Sequence, residues 1–214
     1  MYRRTTLAAG AAIIAPMTGL SVTARDENGG ENDLPNEVES SVFSGEGTEI
    51  VTDLEIEDGL TIIQGSHEGE AGIVIEVIPS ENDHEFTVMS ETAAFIDGDL
   101  LTGGEYNLYV DGEDEWEVTV VQPRPADEEP EELPLSLAGD GPDWTGPIEF
   151  EAETTVAGTH TGESDFFVNT FLDDDVSELV FHALGEFSGA TTIRGDSAGY
   201  LIIDADDDWA LELE

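Results

Sequence analysis

Residues 104–120 read GEYNLYVDGEDEWEVTV, and a second version of this stretch, GYLIIDADDDWALEL, occupies residues 199–213. Each version has alternating apolar residues, then an acidic turn, then a second apolar segment that begins with Trp116 or Trp209. Alternation with a period of two is typical of strands that bury one face. We therefore predict that each stretch is a β-hairpin and that its two copies come from an internal duplication.

The two halves of the chain also match at other points, in the same order. An ordered series at a nearly constant spacing favours duplication over chance. The matching residues lie 93 or 94 positions apart, so one small gap aligns the halves; they are Gly45-Glu46-Gly47 with Gly139-Asp140-Gly141, Leu54 and Ile56 with Ile148 and Phe150, His67 with His160, Tyr106 with Tyr200, and Trp116 with Trp209.

Short apolar runs recur between turn residues, six or seven in each half, and no stretch shows a sustained helical period. This pattern predicts an all-β chain with two tandem antiparallel β-sandwich domains of the jelly-roll type. The GEYNLYV segment at 104–110 resembles the penultimate strand of the small β-sandwich modules at the C-termini of secreted bacterial and archaeal proteases. That resemblance implies an extracellular accessory role and no particular activity.

Changes in composition predict the domain boundaries. A signal peptide is expected at 1–24, an acidic tether at 25–41 and the first sandwich at 42–122. A linker rich in proline and glutamate follows at 123–134, and the second sandwich fills 135–214. Prolines stiffen such a linker and like charges extend it.

The charge is extreme: 51 acidic residues face five basic ones, all arginine, for a formal net charge of -46. A hydrophobic share of 39% indicates a folded chain rather than a disordered one. Salt at about 1 M shortens the Debye length to roughly 3 Å and removes most repulsion between surface carboxylates. The composition resembles that of secreted haloarchaeal proteins and predicts a halophile. Nucleic acid and anionic membrane surfaces are poor partners for such a chain.

The N-terminus has the three parts of an export signal. Arg3 and Arg4 precede an apolar run at 7–20, and this arrangement resembles a twin-arginine signal. The small residues Val22-Thr23-Ala24 predict cleavage after Ala24, and an uncleaved anchor is the alternative. The expected location is therefore the cell surface or the medium.

His67 and His160 are chemically versatile residues placed alike in both copies. Histidine binds metals and moves protons near neutral pH. One histidine per copy is too few for a zinc site, which uses three or four ligands. We favour a residue at the end of a strand whose ring is hydrogen-bonded locally over a ligand-binding residue. Nearby carboxylates in the sequence are Glu68 and Glu70 in the first copy and Glu163 and Asp165 in the second.

The acidic turns supply candidate calcium ligands, namely Asp111, Asp114, Asp204 and Asp206. Calcium takes six to eight oxygen ligands. Neither turn has the spacing of a known calcium loop, and acidic clusters are frequent in so acidic a chain. We favour solvated turns and predict no cofactor, with calcium as the open alternative.

Trp144 lies in the turn-like segment GPDWTGP at 141–147 and has no counterpart in the first half. An exposed tryptophan there is a candidate for stacking on a sugar or on a partner. Trp116 and Trp209, by contrast, are expected in the sandwich cores. Besides Trp144, the copies differ at Arg194 and at the linker, where we expect function to reside.

No catalytic motif for hydrolysis, phosphate binding or metal-dependent chemistry occurs in the sequence. The favoured hypothesis is a non-enzymatic surface or secreted protein of a halophile, with a binding or envelope-structural role. Its partner is expected to be an envelope protein or a glycan. The alternative is a carbohydrate- or calcium-binding accessory module.

Overall fold

The structure is a computed structural model that describes residues 39–69, 71–80, 85–90, 93–124, 129–172 and 176–214. The predicted signal peptide, the tether up to residue 38 and linker residues 125–128 lie outside this part of the chain. No helix in these ranges is long and apolar enough to cross a membrane.

The first half of the described chain folds into a module of eight strands, which we call module 1. Its strands are β1 (Glu39–Glu46), β2 (Glu49–Ile56), β3 (Gly59–His67), β4 (Ile73–Pro79), β5 (Phe86–Ser90), β6 (Ala94–Leu101), β7 (Gly104–Asp111) and β8 (Glu115–Gln122).

The second half folds into module 2, again with eight strands among the described residues. They are β9 (Leu135–Asp140), β10 (Asp143–Glu149), β11 (Thr154–His160), β12 (Asp165–Leu172), β13 (Val176–Leu184), β14 (Phe187–Ile193), β15 (Ala198–Asp204) and β16 (Asp208–Leu213).

Each module consists of two four-stranded antiparallel sheets. We call the sheet with the first and last strands the front sheet, and its order is β1-β8-β3-β6 in module 1 and β9-β16-β11-β14 in module 2. The other is the back sheet, with the orders β2-β7-β4-β5 and β10-β15-β12-β13. Two sheets of four strands in this order form a jelly roll. The predicted all-β fold with two tandem sandwiches is confirmed.

The stretches that suggested hairpins are not hairpins. β7 belongs to the back sheet and pairs with β2 and β4, whereas β8 belongs to the front sheet and pairs with β1 and β3. β15 and β16 are divided between sheets in the same way. The alternating pattern reports which face of a strand is buried but not which strand is its neighbour, so a connection that crosses the sandwich looks like a hairpin in sequence.

Each module has its own core between its sheets. In module 1 the buried faces of β7 and β8 meet across the sandwich, with Leu108 and Val110 on one side and Val118 and Val120 on the other. Module 2 repeats this with Leu201 and Ile203 facing Leu211 and Leu213. These fully buried aliphatic rows hold the paired sheets together by removing apolar area from water.

The predicted match of Tyr106 with Tyr200 is wrong by one residue. Tyr106 is buried in the core of module 1, whereas Tyr200 points out of module 2 into a third apolar cluster. A one-residue slip reverses the face of a side chain in a strand. In structural register, the position of Tyr106 corresponds to Gly199, at the spacing of 93 that also relates His67 to His160.

That third cluster joins the two modules. The front sheet of module 1 packs on the back sheet of module 2, and a Cβ added at Gly98 would collide with Ile202 Cδ1. Module 1 contributes Leu60, Ile62, Ile96, Leu100 and Val121, and module 2 contributes Trp144, Phe171, Tyr200 and Ile202. The modules are therefore one packed body rather than two domains held apart by a linker.

The chain on either side of residues 125–128 is tied to this body. Arg124 donates hydrogen bonds to the carbonyl of Leu60 at 2.8 Å and to the side chain of Gln122 at 3.1 Å. Glu131 forms an isolated β-bridge with Ile148. The described linker residues thus contact the modules they connect.

Candidate functional site

The most elaborate polar arrangement in module 2 surrounds His160, the last residue of β11. The His160 side chain is 0% exposed, its ring stacks on Phe166 with centroids 4.8 Å apart, and it pairs across strands with Trp209. Its Nδ1 lies 3.1 Å from the carbonyl oxygen of Gly185, and its Nε2 lies 3.0 Å from Oδ1 of Asp206. Nδ1 is therefore hydrogen-bonded to the carbonyl of Gly185, whereas Nε2 lies close to Asp206 without hydrogen-bond geometry.

Asp206 holds the loop that follows β11 as well as the histidine. Its Oδ2 accepts the backbone N–H groups of Glu163 at 3.1 Å and Ser164 at 3.0 Å. Burial pushes the pKa of Asp206 upward, but the hydrogen bonds from Ser164 and Glu163 outweigh it and lower the pKa below its usual value. Asp206 is therefore a carboxylate anchored by the protein.

Two glycines make room for this arrangement. A Cβ at Gly162 would collide with Asp206 Oδ1 and lie 2.5 Å from Nε2 of His160. A Cβ at Gly139 would lie 2.6 Å from the ring of Trp209, whose Nε1 donates to the carbonyl of Gly141 at 2.8 Å. We call this set, His160, Trp209, Asp206 and the glycines, the histidine corner of module 2.

Module 1 has an equivalent histidine corner at the end of β3. His67 pairs with Trp116, and Trp116 Nε1 donates to the carbonyl of Gly47 at 2.9 Å. A Cβ at Gly45 would lie 2.5 Å from the Trp116 ring, just as Gly139 lies against Trp209. The tryptophan therefore packs on a glycine of the neighbouring strand in the same way in both modules.

The polar partners of the two histidines differ. His67 is 6% exposed, and neither of its ring nitrogens has a hydrogen-bond partner among the described residues. Glu113 stands at the position of Asp206, at the spacing of 93 residues, and its Cβ lies 3.4 Å from where a Cβ of Gly69 would be. The ring of His67 lies instead near Phe95, with centroids 6.5 Å apart.

An open depression of about 680 Å³ lies beside this corner of module 1. Four carboxylates surround its rim, from Glu46, Glu68, Glu115 and Glu117, while His67 and Trp116 line its floor. It is a wide, acidic surface feature rather than an enclosed binding cleft.

The structure corrects the sequence-based picture of the histidines in one respect. Each lies at the end of a strand, as expected, but the carboxylate that contacts His160 is Asp206 and not one of the adjacent residues Glu163 and Asp165. Asp206 is distant in sequence from His160. The signal that would have found it is the spacing of 93, which relates Asp206 to Glu113 as it relates His160 to His67.

Trp144 does not lie in an exposed turn. It is part of β10 and is partly buried in the cluster between the modules, where its ring centroid lies 5.9 Å from that of Tyr200. The prediction of an exposed turn failed because proline and glycine neighbours suggested a loop, whereas the segment pairs with β15. Its ring is used by the contact between modules.

The four aspartates proposed as calcium ligands are not brought together. Asp111 accepts a hydrogen bond from Thr48 Oγ1 at 2.6 Å, and the carbonyl of Asp114 accepts the N–H of Gly47 at 3.1 Å. A different set, Asp140, Asp207 and Asp208, has carboxylate oxygens within 4.8 Å of one another on the exposed surface. Exposed acidic groups at such distances are common without an ion.

Asp204 lies instead at the contact between modules, together with Asp97 of β6. Burial raises the pKa of Asp97 to about 6, against the lowering effect of the Gly98 N–H and with added repulsion from Asp99. Burial also raises the pKa of Asp204 to about 6, and the charges of Asp97, Asp165 and Asp206 add to it. The junction of the modules therefore carries half-buried carboxylates that repel one another when ionised.

No family model and no curated protein matches the chain. Among solved structures, the exported protein XepA of PBSX is 12% identical with a TM-score of 0.30, over 98% of this chain and 100% of its own. A structure from Sulfolobus turreted icosahedral virus is 11% identical with a TM-score of 0.28, over 86% and 96%. Oxalate decarboxylase of Lactobacillus farciminis is 8% identical with a TM-score of 0.23, over 98% and 87%. Similarities this weak carry no argument about activity, ligand or partner.

Proposed function

We propose that this chain is a non-enzymatic protein that a halophile exports, with a structural or binding role at the cell envelope or outside the cell. The observation that carries this proposal is the apolar cluster between the modules. It makes one body of two jelly rolls. Within the part of the chain that the structure describes, it leaves one outer sheet face of each module uncovered, namely the back of module 1 and the front of module 2. Broad uncovered sheet faces suit contact with another surface.

The geometry around the histidines supports a structural role for these residues. His160 is buried, stacked on Phe166 and tied to Asp206, which itself anchors a loop. A general acid or base must reach a proton of a substrate. A ring enclosed in this way serves to hold two loops of module 2 together.

Export through the twin-arginine route is tested by replacing both arginines of the signal, Arg3→Lys and Arg4→Lys, in a halophilic host. We expect the wild-type protein in the medium or the envelope fraction and the double variant inside the cell. Arg25→Lys, just after the predicted cleavage site, is the matched control and should be exported normally. Wild-type protein that stays inside the cell would overturn the proposed location.

Adaptation to salt is tested by circular dichroism as the salt concentration falls from about 4 M to about 0.1 M. We expect structure to be lost, because the 51 acidic residues repel one another more strongly as screening weakens. An unchanged spectrum over that range would remove the halophilic part of the proposal and leave the export part standing.

A further inference from the structure

The contact between the two modules joins two different kinds of sheet, a front sheet and a back sheet. The front sheet of module 1 meets the back sheet of module 2, so no described residue covers the outer face of the back sheet of module 1 or of the front sheet of module 2. In such a head-to-tail contact the two partners use different surfaces, so one surface of each kind stays available for a further contact. A second copy therefore finds the same two kinds of sheet available for the same kind of contact.

The free back sheet of module 1 carries large apolar side chains on its outer face. Ile50 is 63% exposed and Met89 is 76% exposed, in a chain whose surface is otherwise strongly acidic. Strand pairing places Ile50 beside Tyr109 and Val74 beside Met89. The same face also carries carboxylates: Glu76 lies beside Tyr109, Asp111 beside Val74, and Glu55 beside Glu105.

The free front sheet of module 2 is lined by small side chains instead. Ala157 pairs with Ala190 on one side, and Ala210 pairs with Ala138 and Thr159 in the next row. Glu212 is the carboxylate within these rows, and it accepts a hydrogen bond from Ser136 Oγ at 2.6 Å. The face presents methyl and hydroxyl groups in these rows, and the next row pairs Asp208 with Asp140.

The contact between the two modules shows the same difference in side-chain size between back and front sheets. There the back sheet of module 2 supplies the aromatic rings of Trp144, Phe171 and Tyr200, while the front sheet of module 1 offers aliphatic residues and the space above Gly98. In both pairs of sheets the back sheet carries the larger side chains and the front sheet the smaller ones.

We propose that a second copy of this chain is the partner of these faces, with the back sheet of module 1 docking on the front sheet of module 2 of the next copy. This deepens the structural role proposed above and rests on it. Docking would bring the carboxylates of the two faces, Glu76 and Glu212 among them, close together, so the association needs concentrated salt to screen them. The result is an open or closed chain of copies, each joined head to tail.

The test is sedimentation velocity of the full protein, purified from a halophilic host, in about 3 M salt and at concentrations up to about 100 μM. We expect the mass to rise with concentration for the wild-type protein. Ile50→Asp and Met89→Asp should each weaken association at least about tenfold, because a carboxylate would be buried without a partner. Leu184→Asp is the matched control: Leu184 is also 76% exposed, but it lies on the back sheet of module 2.

A mixing experiment then tests the head-to-tail geometry. Ala157→Glu blocks the front sheet of module 2 and should also abolish growth of the assembly. When Ala157→Glu and Met89→Asp proteins are mixed, each retains one intact face, so we expect a 1:1 dimer and nothing larger. A monomeric wild-type protein, or a mixture that forms no dimer while the wild-type protein associates, would overturn the proposal. Either result leaves the export and salt tests unaffected.

Discussion

The two histidine corners share their packing and differ in their polar contacts. In each, a tryptophan lies on a glycine of the neighbouring strand and donates its Nε1 to a glycine carbonyl, at 2.9 Å in module 1 and 2.8 Å in module 2. His160 then gains Asp206, whereas His67 gains no partner among the described residues. The residue equivalent to Asp206 in module 1 is Glu113, whose side chain is one carbon longer.

The comparison separates two contributions to the stability of one motif. Tryptophan packing on glycine depends on the sheet geometry, which the duplication preserves. The contact between His160 and Asp206 depends on a single side chain in a loop, which the copies have changed. A buried polar group with a partner adds about 0.5–1.5 kcal/mol to stability, and one without a partner costs about 1–3 kcal/mol. Module 2 is therefore expected to have the more stable corner.

Gly162→Ala is expected to have the largest effect. Its methyl group would collide with Asp206 Oδ1 and press on His160, and disrupting such a buried pair costs about 2–4 kcal/mol. The matched change in module 1 is Gly69→Ala, whose nearest neighbour is Glu113 Cβ at 3.4 Å, an ordinary contact. Thermal melting at constant high salt should show a clear loss for Gly162→Ala alone. Equal losses in both modules would break the comparison.

Asp206→Asn comes next, with a loss of about 1–2 kcal/mol near pH 7 from weaker hydrogen bonds to the N–H groups of Glu163 and Ser164. Because the folded protein lowers the pKa of Asp206 despite burial, its contribution is present above the ordinary value of 3.8 and disappears as the pH falls through the lowered value. Melting curves of wild type and variant should therefore converge toward low pH. Glu113→Gln in module 1 is the control and should change little at any pH. A constant gap across pH would contradict the role of the charge.

Asp97→Asn is expected to raise stability by about 1 kcal/mol above pH 6. A folded pKa raised to about 6 means that ionisation destabilises the folded form, so stability falls as the pH rises from about 4 to 6. The variant should flatten this dependence of stability on pH. It should also remove the repulsion between Asp97 and Asp204, which lies two residues before the aspartate of the histidine corner in module 2. Asp99→Asn is the control, because Asp99 accepts the same kind of hydrogen bond from the next N–H, and it should keep most of the slope. A wild-type protein with no slope between pH 4 and 6 would contradict this.

Chelation is expected to have the smallest effect. Asp206, the acidic-turn residue in the corner of module 2, already accepts hydrogen bonds from the protein. Removing a bound ion would lower the melting temperature, because a bound ion adds stability by mass action. We expect no such ion, so excess chelator at constant high salt should leave the melting temperature unchanged within about 1 °C. A larger fall would indicate that an ion supports one corner, and Asp207→Asn would show whether the exposed cluster with Asp140 holds it.

The alternation of apolar residues was sufficient to predict the fold class and most strands. It missed β1, β6, β9 and most of β10, because these strands carry glycine, proline, serine or aspartate where a clear alternation requires apolar residues. Which strands pair was beyond the pattern, so two connections across the sandwich were taken for hairpins. Pairing of distant segments depends on the whole fold, whereas burial of a face is recorded locally in the sequence.

The candidate site was predicted less completely. His67 and His160 were found by their spacing, but the partner of His160 and the burial of Trp144 both come from contacts between segments far apart in the chain. One available signal was missed. The histidine and tryptophan pairs are both 93 residues apart, so the tyrosine pair at 94 between them already indicated that Tyr200 faces the other side.

The position of β1 and β9 beside the last strand of their own modules also bears on how the protein reaches its native state. Glu39 pairs with Gln122, and Leu135 pairs with Leu213. Roughly 80 residues must be made and brought together before either front sheet can close, and such long-range pairing makes folding slow. Until then the centre of each front sheet lacks a strand and exposes unpaired edges to aggregation. Under the proposed export, such a chain benefits from completing both front sheets inside the cell.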